Sequence, residues 1–222
     1  MDFEERIISN EISPLTNEGL LQINEQMRKC FCLIYSREMK STGFFCKIPF
    51  PKRKTILPVL ITANHVLNEE YIKNSNNTIS FSLDNGNEFK EIFLKNRIIY
   101  TNRIYDITII ELNENDNINN FLELDKNLLE SQILQIYSNL NVYLLQYARG
   151  EKSLVSFGLI KNIDNENGEI RYNIWSDSGS GGGPILSTKN FKVIGIHIGA
   201  MRNRNLNIGR LLNKAIIEFQ QL

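Results

Sequence analysis

The sequence predicts an all-β protein built as two packed six-stranded β-barrels, with one helix near each end. Three observations predict it. From Lys29 onward, short apolar or alternating runs recur between polar turn clusters, at the spacing of a sandwich or barrel. The runs fall into two sets of about six, separated by the Asn-, Asp- and Glu-rich stretch 113–120. Helical periodicity is confined to the two ends. Periodicity alone leaves a single large sandwich open as the other arrangement.

Residues 1–13 are mixed and read as irregular. Over 14–28, Thr16 and Asn17 offer caps, and Leu20, Leu21, Ile23 and Met27 recur at helical spacing. Residues 1–28 are therefore read as an extension ending in a helix. The first barrel is placed over 29–120, with strands at 30–36, 43–48, 57–63, 78–83, 91–99 and 106–112. Asp84-Asn85-Gly86-Asn87 is a strong turn signal within it. The second barrel is placed over 121–222, with strands at 142–147, 153–160, 169–175, 183–186 and 193–199. It closes on a helix at 211–222, where Leu212, Ala215, Ile216 and Phe219 form an apolar stripe.

Charge narrows the function. Lys+Arg is 25 and Asp+Glu is 25 in 222 residues, so no global field holds this chain on nucleic acid or an acidic membrane. Lys52-Arg53-Lys54 lacks interleaved aromatics and reads as a solvated turn. No apolar run approaches the roughly 18–20 residues that span a bilayer. The opening Met1-Asp2-Phe3-Glu4-Glu5-Arg6 is acidic, not a secretory or mitochondrial signal. With three cysteines, Cys30, Cys32 and Cys46, this points to reduced thiols and a cytoplasmic location. The three thiols could serve a metal, but no fourth ligand has suitable spacing, so they are read as small buried hydrophobes. No metal or cofactor is implied, and a monomer is the default.

Three segments could carry chemistry. His65 interrupts the apolar run Leu60-Ile61-Thr62-Ala63-Asn64-His65-Val66-Leu67. Asp106 stands at the mouth of the apolar strand Ile107-Thr108-Ile109-Ile110, where burial is costly unless it is paired. Taken singly, each has a plain reading, a satisfied strand-end histidine and a strand-start cap. The third is Ser176-Asp177-Ser178-Gly179-Ser180-Gly181-Gly182-Gly183-Pro184. So dense a glycine turn lets backbone N–H groups converge into a nest for a phosphate or an oxyanion. A phosphate loop needs a Lys and a helix after the glycines; here Pro184 and a strand follow, so that reading is rejected. An imidazole base, a carboxylate to fix its tautomer and an oxyanion nest are the parts of a serine-type acyl-transfer site.

On these residues the chain resembles the trypsin-like serine proteases of the chymotrypsin fold. It is most similar to the branch without disulfides that includes the HtrA-like proteases and the staphylococcal glutamyl endopeptidase. The matching segments are Ser41-Thr42-Gly43-Phe44-Phe45, Ile61-Thr62-Ala63-Asn64-His65-Val66, Tyr105-Asp106-Ile107-Thr108, Gly179-Ser180-Gly181-Gly182-Gly183-Pro184 and Val193-Ile194-Gly195-Ile196-His197. The resemblance implies an endopeptidase acting on protein or peptide substrates. His65 is then the general base, Asp106 its orienting acid, and the N–H groups of Gly179 and Gly181 the oxyanion hole.

One departure bears on activity. The ungapped fit to the family's Gly-x-Ser-Gly-Gly/Ser-Pro loop puts Gly181 where the nucleophilic serine belongs. A rival register makes Ser180 the nucleophile and adds a glycine before Pro184. With Gly181 in the slot, the alternative to an enzyme is an inactive pseudoprotease that binds peptides or partners. Many secreted relatives are activated when a new N-terminus pairs with an Asp just before the nucleophile. Ser180 stands there, so Arg6-Ile7-Ile8 is read as ordinary sequence and the loop as forming without processing. Finally, His197 on the specificity strand and Ser176, five residues before Gly181, match positions that line the primary pocket of glutamyl- and glutamine-selective relatives. The implied preference is Glu or Gln before the scissile bond. Arg202 and Arg204 are read as solvated charge on a turn.

Overall fold

The structure is a computed structural model that describes residues 14–36, 39–74, 76, 78–130, 132–201 and 205–222. Arg6-Ile7-Ile8, Arg202 and Arg204 lie outside the described residues.

Helix α1 (Asn17–Lys29) begins where Thr16 Oγ1 accepts from the Gly19 N–H at 3.1 Å, the cap its sequence offers. It turns Ile23 and Gln26 inward and leaves Leu20 and Leu21 exposed. The Gln26 amide ties the helix to the second half of the chain. It accepts from Tyr143 Oη at 2.6 Å and donates to Phe191 O at 2.9 Å.

The first sheet contains β1 (Phe31–Ser36), β2 (Met39–Phe50), β3 (Thr55–Ala63), β4 (Thr78–Leu83), β5 (Glu88–Phe93), β6 (Ile99–Asn102), β7 (Ile107–Glu111) and β8 (Leu122–Glu123), with α2 (Glu69–Asn74) between β3 and β4. The strand order is β5-β4-β1-β2-β3-β7-β6, and β8 adds to β2 in parallel. The second sheet follows α3 (Ile133–Tyr137). It contains β9 (Asn141–Tyr147), β10 (Ser153–Asp164), β11 (Glu169–Tyr172), β12 (Pro184–Ser187), β13 (Val193–Met201) and β14 (Leu206–Leu211), and α4 (Asn213–Phe219) ends the chain. These six strands close into a barrel in the order β10-β11-β14-β13-β12-β9. The architecture is the double barrel of the chymotrypsin type.

Three details differ from the sequence reading. The first half is an eight-stranded curled sheet that does not close, because β5 and β6 remain its unpaired ends. The single run expected over 91–99 is broken at Asn96, whose positive φ of 62° makes a turn, and it splits into β5 and β6. The start of the expected closing helix is the end of β14, so α4 is shorter than 211–222.

Beside the open seam one charged side chain links the end of β5, the end of β7 and the turn after it. Arg97 donates to Phe93 O and to Glu111 O, and it makes a bidentate pair with Asp116 at 2.6 and 2.7 Å. Both side chains of the pair are only 5% exposed. Asp116→Ala therefore leaves a guanidinium buried without its anion, and it is expected to destabilise the fold by about 3–5 kcal/mol. Urea denaturation of the two proteins checks this; a loss below 1 kcal/mol contradicts it.

One apolar core joins the two halves. Phe31 of β1 meets Tyr147 of β9 with ring centroids 4.8 Å apart, and Phe50 of β2 meets Phe219 of α4 at 5.6 Å. All four are buried, and each contributes on the order of 1.5–3 kcal/mol by its burial. A second cluster, including Cys32, Phe45, Leu60 and Phe81, fills the first sheet alone. The cysteines Cys30, Cys32 and Cys46 are free and buried. Burial pushes the Cys30 thiol up to about 11 and the other two further, which leaves them unreactive.

Candidate active site

His65 follows the end of β3. Val66 and Leu67 insert into the cluster confined to the first sheet, and their N–H groups donate back to Ala63 O at 3.1 and 3.2 Å. That turn leaves the imidazole outside, with its side chain 45% exposed. Asp106 sits in the loop before β7 at φ 55°, a left-handed conformation that Asp tolerates. Asn102 Oδ1 holds the loop by accepting from the N–H groups of Ile104 and Tyr105 at 2.8 and 3.0 Å. Asn102 is in turn fixed from the second half, since its Nδ2 donates to Glu218 Oε2 on α4 at 3.1 Å.

The two residues then meet twice. Asp106 Oδ1 accepts from the His65 backbone N–H at 2.8 Å, and Oδ2 pairs with His65 Nδ1 at 2.6 Å. An ionised carboxylate only accepts, so whenever the ring is neutral beside it Nδ1 carries the imidazole proton and Nε2 presents a lone pair. Residue 181 faces that lone pair. A Cβ built on Gly181 would lie 2.7 Å from His65 Nε2.

The rest of the glycine loop cannot present a side chain there. Gly179 and Gly182 have φ of 84° and 85°. A Cβ at Gly179 would sit 2.6 Å from Tyr147 O, and one at Gly182 would press into Thr42 O and Thr62 Oγ1. A Cβ at Gly183 would lie 2.5 Å from Leu145 O. Gly181 alone among these four has neither a left-handed φ nor a backbone obstacle close by.

The placement of Ser180 weighs against the rival register. Its side chain is fully buried, donates to Gln146 Oε1 at 2.5 Å and accepts from the Asp177 N–H at 3.1 Å. A hydroxyl committed to buried partners on that side is not available to the imidazole.

The loop is braced from three directions. Thr42 donates through its N–H to Gly181 O at 3.0 Å and through Oγ1 to Gly179 O at 2.8 Å. Gly182 N–H donates to His197 O at 2.9 Å, and His197 N–H returns to Gly183 O at 2.8 Å. Arg149 N–H donates to Ser178 O at 2.5 Å, and its guanidinium pairs with Asp177 at 2.7 Å. Among the described residues, the N–H groups of Gly179 and Gly181 have no acceptor. The carbonyls on either side are held inward, so two unpaired donors are left at the loop.

His197 is buried on β13, and its Nδ1 lies 2.5 Å from Tyr172 Oη. Burial, helped by nearby His65, lowers its pKa from 6.5 to about 3, so the ring is neutral. With the phenol O–H donating to Nδ1, the proton of the neutral imidazole resides on Nε2. Nε2 has no partner among the described residues, yet it is not one of the sealed polar atoms. Ser176 Oγ donates to Asn207 Oδ1 at 3.0 Å, and the Asn207 amide is fixed by donating to Ile174 O. Asn207 and Tyr172 are cross-strand partners on β14 and β11.

An imidazole held by a carboxylate, facing one loop position beside two amide donors across the seam of two β-sheets, has the layout of a serine-peptidase-type site. A family model described as trypsin-like peptidase domain matches residues 42–196, and the chain belongs to that family. No curated protein matches in sequence. Among solved structures, the serine endoprotease from Yersinia pestis superposes with a TM-score of 0.65 at 12% identity, over 94% of this chain and 68% of that one. Rv3671c from Mycobacterium tuberculosis H37Rv, as a serine-to-alanine mutant in its inactive form, gives 0.62 at 15% over 95% of both chains. A second structure, of the Rv3671c protease in its inactive form, gives 0.63 at 14% over 94% of this chain and 98% of that one.

Four residues of this site carried no role in the sequence reading: Thr42, Gln146, Tyr172 and Asn207. Only Gln146 left a signal, a polar residue inside the apolar run Val142-Tyr143-Leu144-Leu145 and Tyr147. A cavity of about 410 Å³ bounded by Gln22, Cys30, Phe121 and Lys192 includes none of the site residues. Among the described residues no helix is long and apolar enough to cross a membrane.

Proposed function

We propose that this chain carries the site of a trypsin-like serine endopeptidase with its nucleophile position vacant, and that as it stands it captures peptide segments while cleaving them poorly. The observation that carries the reading is His65. Its Nδ1 is bound to Asp106, and its Nε2 lies 2.7 Å from where a side chain on residue 181 would begin. In the family's reaction a hydroxyl at that position gives its proton to Nε2 and attacks the peptide carbonyl. The developing oxyanion is received by the N–H groups of Gly179 and Gly181, and the imidazolium returns the proton to the leaving amine. Without the hydroxyl no acyl intermediate forms, a loss typically on the order of 10⁶ in turnover. The amide donors remain, and they suit a bound carbonyl.

The primary pocket is read as selective for Gln, and less so for Glu, before the scissile bond. His197 Nε2–H is one donor. Ser176 has its proton engaged by Asn207, so its oxygen is left to accept. One donor and one acceptor match a carboxamide; a carboxylate meets a lone pair at Ser176. The same reading places the chain in the branch without disulfides, beside the HtrA-like and glutamyl endopeptidases. Its free buried thiols suit a reducing compartment such as the cytoplasm, and it acts there as a monomer on protein or peptide ligands.

Trp175, the sole tryptophan and 55% exposed, adjoins Ser176 and reports binding. Titration with a Gln-containing peptide should shift its emission, with affinity about tenfold above the Glu analogue, one unmatched hydrogen bond's worth. No hydrolysis should exceed that of His65→Ala. Because His197 stays neutral, the Gln/Glu ratio should be flat between about pH 6 and 8; an imidazolium would favour Glu as pH falls. Tighter binding of Arg or Lys peptides, or no binding, removes the reading.

A further inference from the structure

Gln146 is the one polar residue of an otherwise apolar strand segment, and its side chain is fully buried. Its polar atoms are all engaged. Nε2 donates to Ser156 Oγ at 2.8 Å and to Trp175 O at 3.0 Å, and Oε1 accepts from Ser180 Oγ at 2.5 Å. The orientation of the amide is settled by its neighbours, because a carbonyl such as Trp175 O accepts only from the NH₂ end. One uncharged group thus joins β9, β10, the wall segment before Ser176 and the glycine loop.

Ser180 is the hinge of this arrangement. It lies between the two residues whose N–H groups are unpaired, and its side chain points to the opposite side of the loop, into the Gln146 amide. Holding Ser180 Oγ inside fixes the peptide planes on either side of it: one carries the Gly181 N–H, and the other ends at the Cα of Gly179, whose own N–H lies in the 178–179 plane that Arg149 N–H holds through Ser178 O. This hold adds to the braces from Thr42, His197 and Arg149 in a loop whose residues Gly179, Gly181, Gly182 and Gly183 impose little of their own conformation.

We propose that Gln146 is the positioning residue that keeps the oxyanion-binding loop in its receptive form. It acts through Ser180 on the nest side and Trp175 on the pocket side, with no ion pair and no newly cut N-terminus. The proposal rests on the reading of the Gly179 and Gly181 donors as a carbonyl-binding nest. Removal of the amide takes the acceptor from the Ser180 hydroxyl proton and the donor from Trp175 O and Ser156 Oγ, while the Asp177 N–H still donates to Ser180 Oγ. The glycine-flanked loop reaches water by swinging outward, which is easier than unfolding the barrel.

The test compares the intact chain with Gln146→Met, Gln146→Glu, Ser180→Ala and the Met/Ala double variant. Three quantities are read: hydrogen exchange over 176–183, Trp175 emission, and affinity for a Gln-containing peptide. Gln146→Met should speed exchange in that segment at least tenfold, shift the emission and weaken the peptide at least tenfold, with the far-UV spectrum and cooperative melting retained. The double variant should show little more than the larger single effect, since both changes break the same bond. Gln146→Glu supplies a signature that packing alone would not. A protonated carboxyl donates to Trp175 O and accepts from Ser180, so the loop should recover near pH 5 and be lost near pH 8 within one folded protein. Slow exchange and unshifted emission in Gln146→Met, or no acid recovery in folded Gln146→Glu, would overturn the proposal. If Gln146→Met fails to fold, the pH pair in Gln146→Glu decides. If the intact chain itself binds no peptide, the peptide-capture reading falls, while exchange and emission still decide the role of Gln146.

Discussion

Gly181→Ser is expected to turn the chain into a peptidase, raising turnover on a Gln-containing peptide by at least about 10³ of the roughly 10⁶ that such a serine is worth. The backbone favours the change. Residue 181 has a φ that any L-residue adopts, and the atom nearest its added Cβ is the ring nitrogen that ought to receive the hydroxyl proton. The 2.7 Å approach is too short for a real Cβ, so the imidazole must withdraw by somewhat under 1 Å. That is an inexpensive motion, since the ring is the end of a half-exposed side chain tethered through Nδ1. The amide donors, braced by Thr42 and His197, need not move. Steady-state hydrolysis beside the Gly181→Ser, His65→Ala double variant measures the gain, and labelling by a phosphonate probe shows whether the new hydroxyl is nucleophilic. Gly182→Ser is the matched control. Its Cβ is driven into Thr42 O at a left-handed φ, so it should lose stability and gain no activity. Equal rates for Gly181→Ser and its His65→Ala partner would leave the vacant-nucleophile reading without support.

The candidate site groups stand out in the sequence because each departs from its surroundings. A histidine and a carboxylate break apolar strands, and four glycines precede a proline where a strand should begin. The supports were harder to read. Tyr172 and Asn207 sit in strands where their alternation is ordinary, and their roles arise from a cross-strand pairing of β11 and β14 that local sequence does not encode. Gln146 did stand out, but its partners lie 10, 29 and 34 residues away, so the sequence posed the question of a buried amide without its answer. The open seam of the first sheet has the same origin. Arg97 and Asp116 read as surface charges until the fold brings them together with the carbonyls of Phe93 and Glu111. Strand β14 was hidden in part because its last residue, Leu211, directly precedes the apolar stripe that starts at Leu212 and was read as the start of the closing helix.

In the Gly181→Ser background, Asp106→Asn is expected to lower kcat by about 10⁴ with little change in KM. The two hydrogen bonds of Asp106 dictate the mechanism. Oδ1 accepts from a backbone N–H, which can only donate, and Oδ2 accepts from Nδ1. An asparagine must keep its carbonyl toward the His65 N–H, which turns its NH₂ toward the imidazole. Nδ1 is then forced to accept, so the ring proton moves to Nε2 and faces the hydroxyl it should deprotonate. The base becomes a donor while the geometry stays nearly unchanged. Folding should not suffer, because Asn accepts the left-handed φ of 55° at position 106 as readily as Asp does. The diagnostic result is thus an unchanged melting temperature beside a collapsed kcat. Asp106→Ala, which imposes no tautomer, should lose activity together with stability, as its Cβ-only side chain abandons the His65 N–H and is strained at that φ. A loss of less than tenfold for Asp106→Asn would mean that the carboxylate does not set the tautomer of His65, and the acid–base assignment would have to be abandoned.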